Sequence, residues 1–278
     1  MSLGADYLAL GERLLAAFPD ARITGLHLPQ PVADESFRDE FGFVFLADGS
    51  IGPFYVSMGD LLVRLWRRHP DPAAWVMPAE RVLAGFLTTD PPDRALALGV
   101  FNALSRSLFR AAGYLPPDRA GGSGVGDLSG DATVGMVGYF APLVDRLTAA
   151  GTAVRVLEQV PQRVPERPLV SVVTRPSDLA DCAQVLCTAS VLINDTLDEL
   201  LAACPNAGGF ELVGPSGSGV PDALFARGVT RVGGIQFDDA QLLRDTLARG
   251  ESWGRAGRKY QIAAADYPGL DRLIAVRA

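Results

Sequence analysis

A short apolar strand that ends in a glycine turn is the feature that most constrains the fold of this 278-residue chain. Residues 133–137 read Thr-Val-Gly-Met-Val, and Gly138-Tyr139-Phe140 leads directly into a helical pattern. Glu158 ends a second apolar stretch, twenty residues beyond Gly138. A strand, a glycine turn and a helix, with a carboxylate at the end of the next strand, are typical of Rossmann-like domains. The spacing therefore predicts such a domain here.

Strand and helix patterns alternate along the second half of the chain. The predicted strands are 134–137, 154–157, 185–187, 210–213 and 230–234, and the predicted helices are 142–150, 196–204, 222–227 and 239–249. The strands are rich in Val, Leu and Ile without polar alternation, as in parallel sheets that helices cover on both faces. This half is therefore predicted to be α/β with a parallel sheet.

The first half shows a different pattern. The predicted elements are a helix at 7–18, strands at 23–28, 41–46 and 51–57, and helices at 59–68, 77–87 and 94–112. Asp48-Gly49 lies between the last two strands and predicts a hairpin turn. On the last helix, the small residues Ala97, Gly99 and Ala103 would let a neighbouring element approach closely. An antiparallel sheet with helices, an α+β arrangement, is expected.

A segment rich in glycine and proline separates the two halves. It includes Gly121-Gly122-Ser123-Gly124-Val125-Gly126 and has no apolar period. A phosphate-binding glycine loop follows a strand and opens a helix, whereas this run follows a helix and precedes a strand. A linker is the favoured interpretation. We therefore expect an α+β domain at 1–115, a linker at 116–131 and a Rossmann-like domain at 132–278.

Composition and charge argue against several classes of function. The formal net charge of -7 would repel a polyanion, so nucleic acid is not expected as a partner. The sequence contains neither an apolar stretch of membrane-spanning length nor the features of a signal peptide. Cys182, Cys187 and Cys204 are odd in number and lie in segments expected to form core, which favours a reducing compartment. A cytoplasmic protein is predicted, and a homo-oligomer is compatible with the sequence.

The residues that follow each strand of a doubly wound sheet converge on one edge, where ligands bind. At this edge the sequence places Gly138, Tyr139, Glu158, Thr188, Ser190 and the segments 214–218 and 234–236. Glu158 could accept hydrogen bonds from ribose hydroxyls, bind a metal or face solvent. Gly214-Pro215-Ser216-Gly217-Ser218 is rich in amides and hydroxyls, a composition suited to holding a carboxylate, phosphate or oxyanion.

The sequence from Asn194 to Glu199 carries both a helix cap and candidate ligands. Thr196 and Glu199 have the spacing of a capping box. A carboxylate at Asp195 would favour cations or hydroxyl groups over anions at that helix terminus. The two histidines form no ligand cluster with cysteine, so a tetrahedral zinc site is not predicted. A metal would be bound by Glu158 and Asp195, with or without Cys187, or would arrive already held in a chelate.

Several of these motifs, in this order, resemble the heavy-metal chelation family, a family of unknown activity with an enolase amino-terminal-like domain and a Rossmann-like domain. The resemblance rests on residues 99–104, 134–140, 156–158, 188, 192–196 and 212–216. It implies a ligand site in a cleft between the two domains. The cleft would be lined by Glu158, Thr188, Asn194, Thr196 and Gly214-Pro215-Ser216, with Asn102 reaching it from the other side. With Gly138 and Tyr139 these residues form the predicted site.

Three functions remain open at this point. The favoured one is the binding of a divalent or trivalent metal, a metal chelate or a small anionic ligand in the interdomain cleft, with a role in metal handling. The second is an enzyme that uses an adenosyl or nicotinamide cofactor at Gly138 and Glu158, although a full Gly-x-Gly-x-x-Gly motif is absent. The third is a non-catalytic interaction protein. No reaction is assigned.

Overall fold

The computed structural model describes residues 2–31, 40–118 and 132–277. Within these residues the strands form a three-stranded sheet in the first half and a seven-stranded sheet in the second. The chain is therefore α/β, with a large and mostly parallel carboxyl-terminal sheet, as predicted. The predicted linker lies outside the described residues from position 119 onward, and the division into domains 1–115 and 132–278 stays a prediction.

The described residues of the first half form three strands and four helices. They are α1 (Leu3–Ala17), β1 (Ile23–His27), β2 (Phe41–Leu46), β3 (Ile51–Tyr55), α2 (Leu61–Arg68), α3 (Ala79–Leu83) and α4 (Pro91–Ala111). The sheet is antiparallel with the order β1-β2-β3. The helix predicted at 77–87 is shorter than expected, because the chain tightens into a 3-10 turn over Ala84–Leu87. At Gly85 in this turn, an added Cβ would lie 2.4 Å from the carbonyl oxygen of Asp93.

Helix α4 packs closely against strand β3. An added Cβ at Gly52 would lie 1.8 Å from the carbonyl oxygen of Gly99 and 2.5 Å from the backbone nitrogen of Ala103. The sheet and the helix can approach this far only because both sides lack bulky side chains. The predicted close approach at the small residues of α4 is therefore confirmed.

The second half contains the larger sheet. Its elements are β4 (Thr133–Val137), α5 (Ala141–Ala149), β5 (Ala153–Leu157), β6 (Val170–Val173), β7 (Gln184–Thr188), α6 (Val191–Asn194), α7 (Leu197–Ala203), β8 (Phe210–Val213), α8 (Asp222–Phe225), β9 (Arg231–Gln236), α9 (Ala240–Ala248), β10 (Arg258–Ala263) and α10 (Leu270–Val276). The strand order is β10-β9-β8-β7-β4-β5-β6, and only β10 runs antiparallel to its neighbour. Strands β4 to β9 thus have the 3-2-1-4-5-6 order of dinucleotide-binding folds. The order reverses between β4 and β7, which makes that position the topological switch point.

Sequence patterns missed four elements: β6, α6, β10 and α10. Strand β6 lies at the sheet edge and its middle residues Ser171 and Val172 are exposed, so it lacks a buried apolar run. Strand β10 mixes charged and apolar residues, and it lies at the opposite edge. Residues 234–236, predicted to follow a strand, instead lie inside β9 and pair with β10. That part of the predicted ligand edge is therefore wrong.

The core connects the two halves. One hydrophobic cluster includes Phe101 of α4 together with Leu192 of α6 and Val220. A second lies between α5 and one face of the larger sheet. A third joins Phe43 of β2 to Phe237, which follows β9. Strand β2 is consequently buried along its whole length, and the three-stranded sheet packs against the carboxyl ends of β8 and β9.

Among the described ranges 2–31, 40–118 and 132–277, no helix has both the length and the apolar character needed to cross a membrane. The three cysteines are buried and unpaired, as predicted. The cytoplasmic location, the absence of a nucleic-acid partner and the oligomeric state stay predictions.

Candidate functional site

Three strands of the larger sheet end side by side at the switch point. Val137, the last residue of β4, pairs in register with Leu157 of β5 and with Cys187 of β7. Gly138, Glu158 and Thr188 therefore follow at the same level, on neighbouring strands that are about 4.8 Å apart. These three predicted site residues are brought together by the backbone alone.

Gly138 makes a turn that a larger residue would not adopt easily. Its φ is +79°, and an added Cβ would lie 3.3 Å from Cγ2 of Thr188. Its backbone nitrogen donates to the carbonyl oxygen of Leu157, 3.0 Å away, which extends the β4–β5 pairing by one residue. Tyr139 follows in a half-buried position, with the Arg167 guanidinium carbon 5.9 Å from its ring centre. The glycine thus allows the chain to leave the sheet towards α5 without filling the edge.

Glu158 begins the segment after β5. Its backbone nitrogen donates to the carbonyl oxygen of Val173 at 3.1 Å. Its carboxylate Oε1 accepts a hydrogen bond of 3.2 Å from the backbone nitrogen of Val160. The side chain is half-buried. This geometry places a carboxylate at the end of the second strand, as the spacing from Gly138 predicts.

Hydroxyl groups follow β7. Thr188 Oγ1 and Ser190 Oγ lie 3.0 Å apart, and the backbone nitrogen of Ser190 donates to Thr188 Oγ1 at 3.3 Å. Both side chains are half-buried. Cys187, one residue earlier, is fully buried, and burial raises the pKa of its thiol well above the ordinary value. The edge therefore offers hydroxyl and carboxylate oxygens rather than a thiolate.

The segment after Ser190 differs from the predicted helix cap. Helix α6 ends at Asn194, and Asp195 adopts a left-handed conformation with φ 61° and ψ 33°. The Thr196 hydroxyl donates to Oδ1 of Asn194 at 2.8 Å. Helix α7 starts at Leu197 without a side-chain cap bond. The predicted capping box is thus not formed, because the Thr196 hydroxyl is already bonded to Asn194.

Sequence reasoning missed Arg94, the partner of Asp195. Arg94 Nη2 donates to Asp195 Oδ1 at 2.8 Å, and its Nε donates to the carbonyl oxygen of Ile193 at 3.0 Å. The Arg94 side chain is 5% exposed and that of Asp195 is 47% exposed. An arginine directly before the apolar run at residues 95–101 of α4 was the available indication. Asp195, predicted as a metal donor, therefore has a cationic partner in this structure.

The remaining predicted residues lie in the contact between the two sheets. Ser216 Oγ accepts a hydrogen bond of 2.9 Å from the backbone nitrogen of Tyr55. Asn102 Nδ2 donates to the carbonyl oxygens of Pro53 and Ser216 at 2.8 and 3.0 Å. Asn102 and Ser216 are each 1% exposed. Asn102 therefore reaches the segment that contains Ser216, as the resemblance implied, but through a buried contact.

The segment from Gly214 to Ser218 is a compact turn. The backbone nitrogens of Gly217 and Ser218 donate to the carbonyl oxygens of Gly214 and Pro215. The Ser218 hydroxyl donates to the Pro215 carbonyl oxygen at 2.6 Å and accepts from the backbone nitrogen of Ile235 at 3.0 Å. These groups are used inside the protein. The cradle for an anion that the composition of this segment predicted is therefore not formed.

The ten predicted ligand residues thus divide into two groups. The first, on or after the ends of β4, β5 and β7, contains Gly138, Tyr139, Glu158, Thr188, Asn194 and Thr196. The second, on α4 and after β8, contains Asn102, Gly214, Pro215 and Ser216. Only the first group has side chains that are half-buried or exposed throughout. We call this first group the switch-point edge.

The described ranges contain no group of three or more His, Cys, Asp or Glu side chains placed to hold a metal ion. Two open depressions, of about 620 and 260 Å³, are lined by other residues, at α5 and the segment 165–169 and at the amino ends of β4, β5 and β6. The switch-point edge is therefore distinct from both depressions.

The strand order, together with a glycine turn and a carboxylate at the switch point, defines a Rossmann-like α/β protein. A model of the DUF364 family, described as "Putative heavy-metal chelation", matches residues 125–265, about half of the chain. The chain belongs to this family, as the resemblance predicted.

Two solved structures of the same family have this fold. The DUF364 protein of unknown function from Pyrococcus horikoshii is 16% identical and covers 93% of this chain and 99% of its own, with a TM-score of 0.67. The protein of unknown function from Desulfitobacterium hafniense is 15% identical and covers 92% and 98%, with a TM-score of 0.59. At these identities the likeness concerns the fold. No curated protein matches the chain.

Proposed function

We propose that this protein binds a metal ion presented in a chelate, or another small anionic ligand, at the switch-point edge, and that it serves metal handling. One observation carries the proposal: Gly138, Glu158 and Thr188 stand at the same level at the point where the strand order reverses. Ligands of open α/β sheets bind at such points. The family description, heavy-metal chelation, agrees with this class of ligand.

The donor atoms favour a chelate over a bare ion. A Ca²⁺ ion takes about six to eight oxygen ligands, carboxylates among them, and Mg²⁺ is usually bound by one or two carboxylates together with waters and substrate phosphates. The oxygen donors of the switch-point edge include one carboxylate, that of Glu158, and the Thr188 hydroxyl, and the Ser190 hydroxyl lies 3.0 Å from the latter. The carboxylate of Asp195 is engaged by Arg94. A metal that already has most of its ligands needs only a few further oxygen donors or hydrogen bonds, which this set can provide.

A thermal-shift experiment on metal-stripped protein tests the proposal. The panel contains magnesium, zinc and ferric ions, their citrate chelates, S-adenosylmethionine and NAD⁺. A ligand at one hundred times its Kd stabilises the native state by about 2.7 kcal/mol. We expect a chelate to raise the Tm by several degrees, and Glu158→Gln to abolish that rise while changing the Tm of the unliganded protein little.

The matched control is Glu12→Gln, an exposed glutamate on α1. It should keep the full ligand-induced shift. Asn194→Ala should weaken the shift, because Asn194 lies in the segment after β7. An equal loss of ligand-induced stabilisation in Glu12→Gln, or no response of the native protein to any chelate or anion, would contradict the proposal.

The strand order favours a second candidate, an enzyme with an adenosyl or nicotinamide cofactor. In folds with the order 3-2-1-4-5-6, the carboxylate after the second strand binds ribose hydroxyls. Glu158 has that position. A Tm rise with S-adenosylmethionine or NAD⁺ that disappears in Glu158→Gln would support this candidate over the chelate. A response to the chelates alone would exclude it.

A further inference from the structure

Helix α6 forms part of the segment that follows β7 and leads to Asn194 and Thr196. It is short, four residues, and ends in the left-handed residue Asp195. Residues other than glycine adopt this conformation rarely, although asparagine and aspartate tolerate it better than most. Such a conformation persists only where neighbouring contacts hold it. The contacts around Asp195 therefore identify what determines the course of this segment.

Those contacts come from the first half of the chain. Arg94, in the first turns of α4, donates to the carbonyl oxygens of Leu192 and Ile193 at 3.5 and 3.0 Å and to the Asp195 carboxylate at 2.8 Å. It also donates to the carbonyl oxygen of Phe86 at 3.0 Å. The guanidinium of Arg94 thus binds three residues around the end of α6 and also Phe86, which lies in the first half of the chain. Its planar group of five donors suits this task, and lysine could not reproduce it.

The rest of this contact is apolar. Val191, Leu192 and Ile193 are each at most 2% exposed and belong to the cluster that includes α4. Asn194 and Thr196, in contrast, are exposed or half-buried and are joined by their side chains. The segment therefore has an inner side that is fixed to α4 and an outer side that carries two predicted ligand residues.

We propose that Arg94 is a positioning residue of the switch-point edge. It holds Asp195 in its left-handed conformation and thereby sets the position of Asn194 and Thr196 relative to Gly138 and Glu158. The expected effect of Arg94 on ligand affinity rests on the proposed function. Its effect on the conformation of the segment around Asp195 can be measured without any ligand. Through Arg94, helix α4 also contributes to the geometry of the site, although no side chain of α4 belongs to the switch-point edge.

The experiment compares Arg94→Lys with the control Arg106→Lys. Arg106 lies on the same helix and forms an ion pair with Asp238, which follows β9. Both variants thus weaken an arginine contact between the two halves, and only the first concerns α6. Amide hydrogen exchange is measured on both variants. A third variant, Asp195→Asn, removes the negative charge at position 195 but keeps Arg94, and asparagine tolerates the left-handed conformation.

We expect Arg94→Lys and Asp195→Asn to accelerate exchange at residues 192–197 and to leave 138–140 and 158–160 unchanged. Arg106→Lys should not accelerate exchange at 192–197. Equal acceleration at all of these segments in Arg94→Lys, or unchanged exchange at 192–197 in both Arg94→Lys and Asp195→Asn, would overturn the positioning role.

The affinity measurement uses ferric citrate, zinc citrate, S-adenosylmethionine and NAD⁺ as probes. For any probe that binds the native protein, Arg94→Lys should raise the Kd about tenfold or more, as is typical for residues that orient ligand-binding groups. Arg106→Lys should leave the Kd unchanged. An unchanged Kd in Arg94→Lys contradicts the inference. Failure of every probe on the native protein counts against the proposed function, while the exchange measurement still decides the role of Arg94.

Discussion

Asn102 donates a hydrogen bond from its side-chain Nδ2 to the carbonyl oxygen of Ser216, 3.0 Å away, and so connects α4 to the turn after β8. The same nitrogen donates to the carbonyl oxygen of Pro53 on β3 at 2.8 Å. Asn102 Oδ1 is buried, and it has no hydrogen-bond partner among the described residues. Only an amide nitrogen can face two carbonyl oxygens, so the orientation of this side chain is determined. One residue thereby joins the helix to both sheets.

Replacing Asn102 should destabilise the protein strongly. In Asn102→Leu, the buried carbonyl oxygens of Pro53 and Ser216 lose their donor, and each unsatisfied group costs about 1–3 kcal/mol. We expect the free energy of unfolding, measured by urea denaturation, to fall by about 2–4 kcal/mol. Asn206→Ala is the control, because Asn206 is exposed and donates to the carbonyl oxygen of Ala180. An equal effect of the two variants would contradict this structural role.

The three cysteines should be unreactive in the native protein. Burial raises the pKa values of Cys182, Cys187 and Cys204, the last to about 11. Since the thiolate is the reactive form, a disulfide reagent such as DTNB at pH 8 should modify none of them rapidly. Ser252→Cys, with a thiol at an exposed position, serves as a positive control.

Unfolding in guanidinium chloride should expose all three native thiols to the reagent. Rapid modification of a native thiol would show an accessible thiolate and would make soft metal ions candidates for direct binding. Protection of all three would leave oxygen donors as the available ligands, in agreement with the proposed chelate site.

Local patterns predicted the elements whose burial is regular. Strands β2 and β8 have the predicted bounds, since each is buried along its whole length and is apolar except for the buried Glu211 of β8. Edge strands β6 and β10 were missed because exposed residues interrupt the apolar pattern. Gly138 and Glu158 each come directly after one of two consecutive predicted strands. Because neighbouring parallel strands end at the same edge of the sheet, this spacing correctly predicted that the two residues lie at the same level.

Long-range contacts explain the parts of the site that could not be predicted. The ion pair of Arg94 with Asp195 joins residues that are 101 positions apart, and the hydrogen bond from Asn102 to Ser216 spans 114 positions. No periodicity relates such residues. The segment 214–218 has the composition of an anion-binding loop. Strand β3 packs against it, however, and the Ser216 and Ser218 hydroxyls form hydrogen bonds within the protein. Composition alone could not distinguish the two outcomes.

The stability of the protein should fall as the pH drops from about 6.5 to about 4, in part because of His27. Burial, and secondarily the positive charge of Arg244, lowers the pKa of His27 to about 4. In this window the unfolded chain binds a proton at His27 and the folded protein does not, so acid favours unfolding. Protonation of His27 on unfolding would lower the free energy of unfolding by about 3 kcal/mol over the whole window.

Urea denaturation at several pH values measures this contribution. His27→Gln should flatten the dependence of the free energy of unfolding on pH between 6.5 and 4.5. His69→Gln is the comparison, because burial and Arg68 lower the pKa of His69 as well and its contribution has the same sign. Asp90 and Asp181, with lowered pKa values, lose their contributions only at lower pH. An unchanged slope in His27→Gln would contradict the assignment.

Substitutions of Asp195 can separate backbone strain from the ion pair. Asp195→Gly removes the carboxylate but adopts the left-handed conformation freely, whereas Asp195→Ala removes the carboxylate and keeps the strain. The alanine variant should therefore be less stable than the glycine variant by about 1 kcal/mol. Both lose the contact with Arg94, whose other bonds to Ile193 and Phe86 remain.

This comparison also concerns the site. If the left-handed turn itself sets the position of Asn194 and Thr196, Asp195→Gly should retain most of the ligand-induced stabilisation, and Asp195→Ala should lose more of it. If instead the carboxylate binds the metal directly, both variants should lose the ligand-induced stabilisation equally, because neither has a side-chain oxygen donor at this position. Thermal shifts of the two variants with ferric citrate distinguish the outcomes. The ion pair of 2.8 Å with Arg94 leads us to expect the first.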